Sequence, residues 1–319
     1  MTVGILLACA LVGVLPVGRH RRQRASAAPA FAAAAAFAAL YEPGVHLLPA
    51  ILGAAGMAAA VVAGIGRALA TDSDETSMVW IVSGLVVFAC CAVTAMLGWD
   101  ARVTWTLLVF LSMMAARFAP SLAIDVPDEA LLDLDRLAVT AWSARDRPTG
   151  RRGRIIVPRG VVASVAERGA RTITASCVAI LVVVTVSAIM LMRETSVWID
   201  VLGARIEVGL AGAALLLAAR SYRHAAARAL LRTAGLACWA VLLVVLLTAA
   251  GTGWTTVVAW GSIVLGALLV LVAVALGRGW RSAWWARRAE VAESLTGALA
   301  IGAVVVAAGL FRLLWELTG

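Results

Sequence analysis

The chain has 319 residues, 63% of them hydrophobic and only 14% charged, with a mean hydropathy of +0.97. Soluble domains hold about 45–50% apolar residues, so this composition excludes an ordinary soluble domain and indicates a polytopic membrane protein. The net charge of +9 and pI near 10.7 would suggest nucleic acid in a soluble protein. Here no aromatic-interleaved basic groove is visible, and basic residues collect in the cytoplasmic loops of membrane proteins, so no nucleic-acid partner is expected.

A membrane span needs about 20 mostly apolar residues. Ten such stretches are read along the chain, five on each side of one long polar segment. Span 1 is 2–17, short and ending near Pro16, and the basic run GRHRRQR follows it. Span 2 is 26–41, nearly all alanine, which suits close helix–helix approach. Spans 3, 4 and 5 are 46–69, 78–99 and 103–119. Spans 6 and 7 are 172–192 and 206–219, the latter short unless it begins near Ile199. Spans 8, 9 and 10 are 230–250, 256–276 and 291–314. The fold class is therefore an all-α transmembrane bundle in a 5 + 5 layout. Residues 1–119 form one half, 120–171 a cytosolic loop and 172–319 the other half.

Arginine supplies all 27 basic residues. Alternating the ten spans places 23 of the 27 on one side, leaving only Arg102, Arg193, Arg205 and Arg312 on the other. The arginine-rich side is the cytoplasm by the positive-inside rule, which puts both termini outside the plasma membrane. Trp99, Trp105, Trp198, Trp254 and Trp315 then fall near outer boundaries. Trp80, Trp280, Trp284 and Trp285 fall near inner ones, as an aromatic belt does. The N-terminus lacks a basic stretch ahead of its first apolar run and is not read as a signal peptide.

Chemistry is sparse. Cys9, Cys90, Cys91, Cys177 and Cys238 all lie in apolar spans with no CxxC pair, and read as small hydrophobes. His20, His46 and His224 are scattered, and neither HExxH, GxSxG, a P-loop nor GxGxxG occurs. No catalytic residue, cofactor or metal site is expected. Transporters place ionisable residues deep in spans, and none is read near mid-span here. Glu207 and Arg205 are placed at the outer end of span 7, Asp100 and Asp200 in outer loops, and Glu290 and Glu293 at the inner end of span 10. The prolines are placed at span edges or in loops, so no span is expected to break at mid-membrane. A secondary transporter built from two five-span halves stays open as the alternative, although the halves show no clear self-similarity. A membrane enzyme acting on lipid-linked substrates has no constellation to support it.

The polar stretch taken from Arg117 to Arg171 carries 10 of the 27 arginines. Pro127-Asp128-Glu129 reads as a helix start, with acids at the favourable end of the dipole. Leu131, Leu134 and Leu137 then recur at helical spacing and Trp142 extends the stripe. This amphipathic helix would dock on a partner, on the membrane surface or on the protein's own inner loops. Arg151, Arg152 and Arg154 form a basic turn suited to acidic headgroups, at about 1 kcal/mol per charge. A further helix from about Val161 is expected to run on into span 6.

Three stretches carry a family resemblance: Val165-Ala166-Glu167-Arg168 leading into span 6, Leu217-Ala218-Ala219-Arg220-Ser221-Tyr222, and the loop from Arg281 to Glu293 with Trp284, Trp285, Arg287 and Glu290. The Gly309-Leu310-Phe311 ending fits as well. With these, the chain resembles the membrane region of EccD, a core component of the actinobacterial type VII (ESX) secretion system. The first half matches mainly in layout, and Ala218 stands where the family's inner turn has an arginine. EccD proteins usually begin with a cytosolic ubiquitin-like domain and have eleven spans. This chain reads as one without that domain and the first span, whether truncated, separately encoded or absent. The resemblance implies a non-enzymatic scaffold lining a lipid-filled vestibule. It also implies a homodimer and assembly with EccB-, EccC- and EccE-like components, with the polar segment as docking surface.

Overall fold

A computed structural model of the chain describes residues 1–15, 18, 20–42, 48–70, 75–122, 159–249, 252–277 and 283–318. Among these residues run eleven α-helices and no strand. They are α1 (Thr2–Val14), α2 (Arg21–Leu40), α3 (Leu48–Leu69), α4 (Glu75–Met96), α5 (Ala101–Leu122), α6 (Arg159–Glu194), α7 (Trp198–Ala218), α8 (Ala225–Ala249), α9 (Thr252–Gly277), α10 (Ala283–Ala307) and α11 (Leu310–Thr318). Each of the ten expected spans falls on a helix. Seven helices, α3 to α8 and α10, are long and apolar enough to cross a membrane. Of the others, α1 is apolar but 13 residues long, α9 holds a shorter apolar run, Thr256–Leu268, and α2 is 20 residues with its arginines at the start.

Three departures from the sequence reading matter. Of the two starts read for the seventh span, Ile206 gives way to the one near Ile199: α7 begins at Trp198 and takes in Asp200, Arg205 and Glu207. Its charges depress hydropathy, yet the helix buries Asp200 and Glu207 against its neighbours, so the average misplaced its start. The tenth span is not continuous to Leu314: α10 ends at Ala307, Gly309 adopts φ +77°, and α11 begins at Leu310. The prolines are not all at edges either, because Pro29 and Pro120 lie inside α2 and α5. The helix expected from Val161 does run on into span 6. As one piece, α6 has 36 residues, about 54 Å at 1.5 Å per residue, well beyond the roughly 30 Å of hydrocarbon.

The helices α1 to α4 pack side by side in sequence, and α4 leans on α6. The core lies where α5, α6, α7 and α8 meet, with Val109, Val184, Val208, Leu215 and Leu231 fully buried. On the other side of α7, α10 packs along its length. Water supplies no hydrophobic push between helices within a bilayer, so association depends on close backbone approach at small residues. The contacts show it. A Cβ on Gly84 of α4 would strike the Gly56 carbonyl of α3. One on Gly235 of α8 would sit 2.7 Å from the Gly212 carbonyl of α7, and one on Gly203 of α7 would sit 2.7 Å from the Ala307 nitrogen of α10. The alanine-rich α2 buries Ala28, Ala32 and Ala35 between α1 and α3, as its composition suggests. By contrast α9 touches α8 at few points and leaves Val257, Trp260, Ile263, Val264, Leu268 and Leu271 exposed.

The bundle therefore has two ends. One carries the α4–α5, α6–α7 and α10–α11 connections and is called here the Arg102 end. The other carries the α7–α8 turn and is called the Tyr222 end.

Candidate functional site

At the Arg102 end, three elements converge on one buried carboxylate. Asp200 stands in the first turn of α7, where the helix dipole favours an acid, and it is fully buried. Arg102, in the first turn of α5, donates from Nη1 to Asp200 Oδ2 and lies 2.8 Å through Nη2 from Asp100 Oδ2. Arg312 on α11 brings its Nη2 to 3.8 Å from Asp200 Oδ2. The break before α11 is shaped for this. A side chain on Gly309 would meet Arg102 Nη2 at 2.8 Å and push the guanidinium off its place, and the φ of +77° at this position itself favours glycine. Asp200 is thus no outer-loop residue. It clips α5, α7 and α11 together.

Two turns further along the same face of α7 lies Glu207, tenth of the helix's 21 residues and 1% exposed. Neither of its oxygens finds a hydrogen-bond partner. The Thr106 side chain of α5 comes up beside it, one turn along α5 from Arg102. The Thr106 hydroxyl and the Trp105 indole nitrogen are likewise buried and unpaired. An acid therefore does sit near the middle of a span, contrary to the sequence reading. Trp105, counted there as an interfacial belt residue, is 1% exposed inside the core.

The Tyr222 end holds a second arrangement. Pro120 has no N–H, so the Ala116 carbonyl four residues earlier has no partner in its own helix. The buried Tyr222 hydroxyl donates to that carbonyl at 2.6 Å, across from the α7–α8 turn. Burial also pushes the Tyr222 phenol above its usual range, which keeps it a donor. Near Pro29 of α2, the Trp80 indole N–H of α4 donates to the Ser26 carbonyl at 3.1 Å, a second side-chain bond between helices. Around Tyr222, Arg220 lies 3.6 Å from Glu293 of α10, the Ser221 hydroxyl donates to the Ala218 carbonyl, and Arg171 of α6 reaches Glu75 of α4 at 3.9 Å.

The family-like residues thus separate. Arg220, Ser221 and Tyr222 form one packed turn, and Glu293 joins it. Trp284 and Arg287 are exposed on the first turns of α10, with the Arg288 guanidinium 3.5 Å over the Trp284 ring, and Glu290 is exposed one turn on. Trp285 falls within α10. Leu131, Leu134, Leu137, Trp142, Arg151, Arg152 and Arg154 lie outside the described residues. Among the described residues no cluster of three or more His, Cys, Asp or Glu could hold a metal ion. Asp200 and Glu207 were missed, yet their seven-residue spacing, with Gly203 and Ala204 between, is a helical face that could have signalled them.

The family model for the EccD-like transmembrane domain matches residues 2–317. Among solved structures, one described as protomer 1 of the ESX-3 core complex is similar, with a TM-score of 0.67 at 18% identity. The match covers 98% of this chain and 68% of that one. At that identity the likeness speaks to the fold. No curated protein matches the chain.

Proposed function

The chain belongs to the EccD-like transmembrane domain family, and from that membership we propose that it is the multi-spanning membrane subunit of a type VII (ESX-like) protein secretion complex. The observation that carries this reading is the family match over nearly the whole chain, and a fold shared with an ESX-3 core protomer supports it. The role is that of a scaffold lining the membrane path. Its chemistry fits such a role, since among the described residues the buried polar contacts tie helices together and are not arranged as a nucleophile with a base. The subunit works as a homodimer in the plasma membrane, joined to EccB-, EccC- and EccE-like components. The Tyr222 end faces the cytosol, where most arginines lie, and the Arg102 end faces outward. The segment 120–171 docks cytosolic partners through Leu131, Leu134, Leu137 and Trp142, while Arg151, Arg152 and Arg154 meet acidic lipid headgroups.

Glu207 is the single observation that favours the other reading, a secondary transporter for a small solute, because buried intramembrane acids commonly serve ion or proton pathways. Affinity purification from native membranes in mild detergent, followed by mass spectrometry, separates the two. Stoichiometric recovery of an FtsK/SpoIIIE-type ATPase with single-span membrane proteins is expected. A monodisperse chain without partners, at native expression and in more than one detergent, would overturn the scaffold reading.

A further inference from the structure

We propose that Glu207 is a proton-binding site within the membrane domain, taking up and returning a proton through the Arg102 end of the α5–α7 interface. The inference is independent of the partners proposed above.

Position comes first. α7 has 21 residues, about 30 Å at 1.5 Å per residue, which matches the hydrocarbon thickness of roughly 30 Å. Glu207 sits near the middle of that length. The second observation is how unpaired polarity is distributed. Eight buried side-chain polar atoms among the described residues lack a hydrogen-bond partner, and seven of them lie on two facing segments. These are Arg102 Nε, Trp105 Nε1 and Thr106 Oγ1 on α5, with Asp200 Oδ1, Arg205 Nε and both Glu207 oxygens on α7. The eighth, on Thr185, belongs to α6. Each such atom costs about 1–3 kcal/mol when left unsatisfied. Arg205 stands on the opposite side of α7 from Glu207, about 160° round the helix at 3.6 residues per turn, and the other six atoms share one seam that marks a polar path from the Arg102 end to Glu207. By helix geometry that path is about 10 Å long, the rise of seven residues.

The surroundings select a proton. On the elements packed against α7, the charged groups at the Arg102 end are Arg102 on α5, the exposed Arg193 and Glu194 that close α6, Asp200 and Arg205 on α7 itself, and Arg312 on α11, while Arg117 of α5, Arg228 and Arg232 of α8 and the charges of α10 lie toward the Tyr222 end. Arg102 and Arg312 are engaged with Asp200. The core-facing stretches of α6 and α8 bring the thiols Cys177 and Cys238 and no charge, and α10 brings Ala300, Ala303 and Ala307. None of these cations pairs with Glu207. An unpaired carboxylate at that depth is costly, and a proton removes the charge without a countercharge. A metal cation would require more oxygen ligands than Glu207 and Thr106 supply. The neutral carboxyl can donate to Thr106 Oγ1, which the same step satisfies.

Infrared difference spectroscopy across a pH series, on the full chain in lipid bilayers, reads the carboxylic acid band directly. The expected result is a band that grows severalfold as pH falls, shifts in D2O, and is missing in Glu207→Gln. Should that variant fail to fold, Thr106→Val keeps the acid and removes its neighbour, and the titrating band should then move in frequency. A band of constant size across the series would mean a permanently neutral structural acid and overturn the proposal. So would the absence of any Glu207-dependent band. Loss of the band on adding sodium at fixed pH would assign the site to a cation instead, and would equally overturn it.

Discussion

At the scale of single residues, the chain repairs the backbone where Pro120 has damaged it. Within lipid an unpaired carbonyl has no water to turn to, so a neighbouring side chain must reach it. Tyr222 does this for Ala116. Removing the hydroxyl by Tyr222→Phe should destabilise the detergent-solubilised protein by about 1–3 kcal/mol, as for other buried acceptors left bare. A Pro120→Ala background restores a backbone N–H four residues after Ala116, and that donor can serve the same carbonyl. The cost of Tyr222→Phe should shrink there, and equal costs in both backgrounds would show that the hydroxyl does something else. Asp200 offers a second test. Asp200→Asn leaves the Arg102 guanidinium buried with only the exposed Asp100 beside it, and should cost about 3–5 kcal/mol. Asp100→Asn, at a side chain 70% exposed, should cost less than about 1 kcal/mol. Chemical denaturation of the two variants side by side checks the difference. Of these residues, Tyr222 was legible in the sequence as part of a family-like turn, while Asp200 and Glu207 were not. Hydropathy averages over a helix's circumference. It cannot distinguish a carboxylate facing solvent from one facing a neighbouring helix.

At the scale of elements, the same averaging explains which helices the sequence located well. α3, α4, α6 and α8 have long apolar runs between polar flanks, and each begins within a few residues of its expected start or, for α6, where the separate helix reading put it. α7 begins with WIDVLGARIE, whose charges read as loop and fold as the buried face of a helix. The α10–α11 break turns on the single residue Gly309, whose positive φ leaves no trace in composition. Helix contacts were legible only as a general richness in small residues, because which glycine meets which carbonyl depends on register between distant segments. That register makes a prediction. Gly235→Val should force α8 away from the Gly212 carbonyl and from Leu216, destabilising the bundle by about 1–3 kcal/mol or more. Gly266→Ala on α9 meets nothing within 4 Å. It should be neutral or stabilising by about 0.5–1 kcal/mol through helix propensity. Thermal unfolding of both variants in one detergent compares them, and similar losses would mean that close approach between α7 and α8 does not hold the bundle.

At the scale of the whole molecule, the two ends differ in kind. The Arg102 end is tied by a buried carboxylate shared between two arginines, which joins three helices. The Tyr222 end is looser in charge. It gathers exposed arginines, the projecting start of α6 and the exposed Trp284–Arg288 stack, and the long polar segment joins α5 to α6 there. Such an end can meet other proteins while the bundle behind it stays fixed, which is the division a scaffold requires. If partner docking runs through the leucine stripe of the polar segment, substituting Leu131, Leu134 and Leu137 together by Asp should remove the cytosolic ATPase from purified complexes. The chain should remain in the membrane with unchanged thermal stability, the core being built where α5, α6, α7 and α8 meet. Substituting Arg151, Arg152 and Arg154 by Gln should instead preserve partner recovery and weaken binding of the segment to vesicles containing anionic lipid, by about 1 kcal/mol per charge removed. The pair separates the two surfaces: ATPase recovery that persists after the leucine substitutions would remove the stripe from the docking role, whatever the arginine variant does.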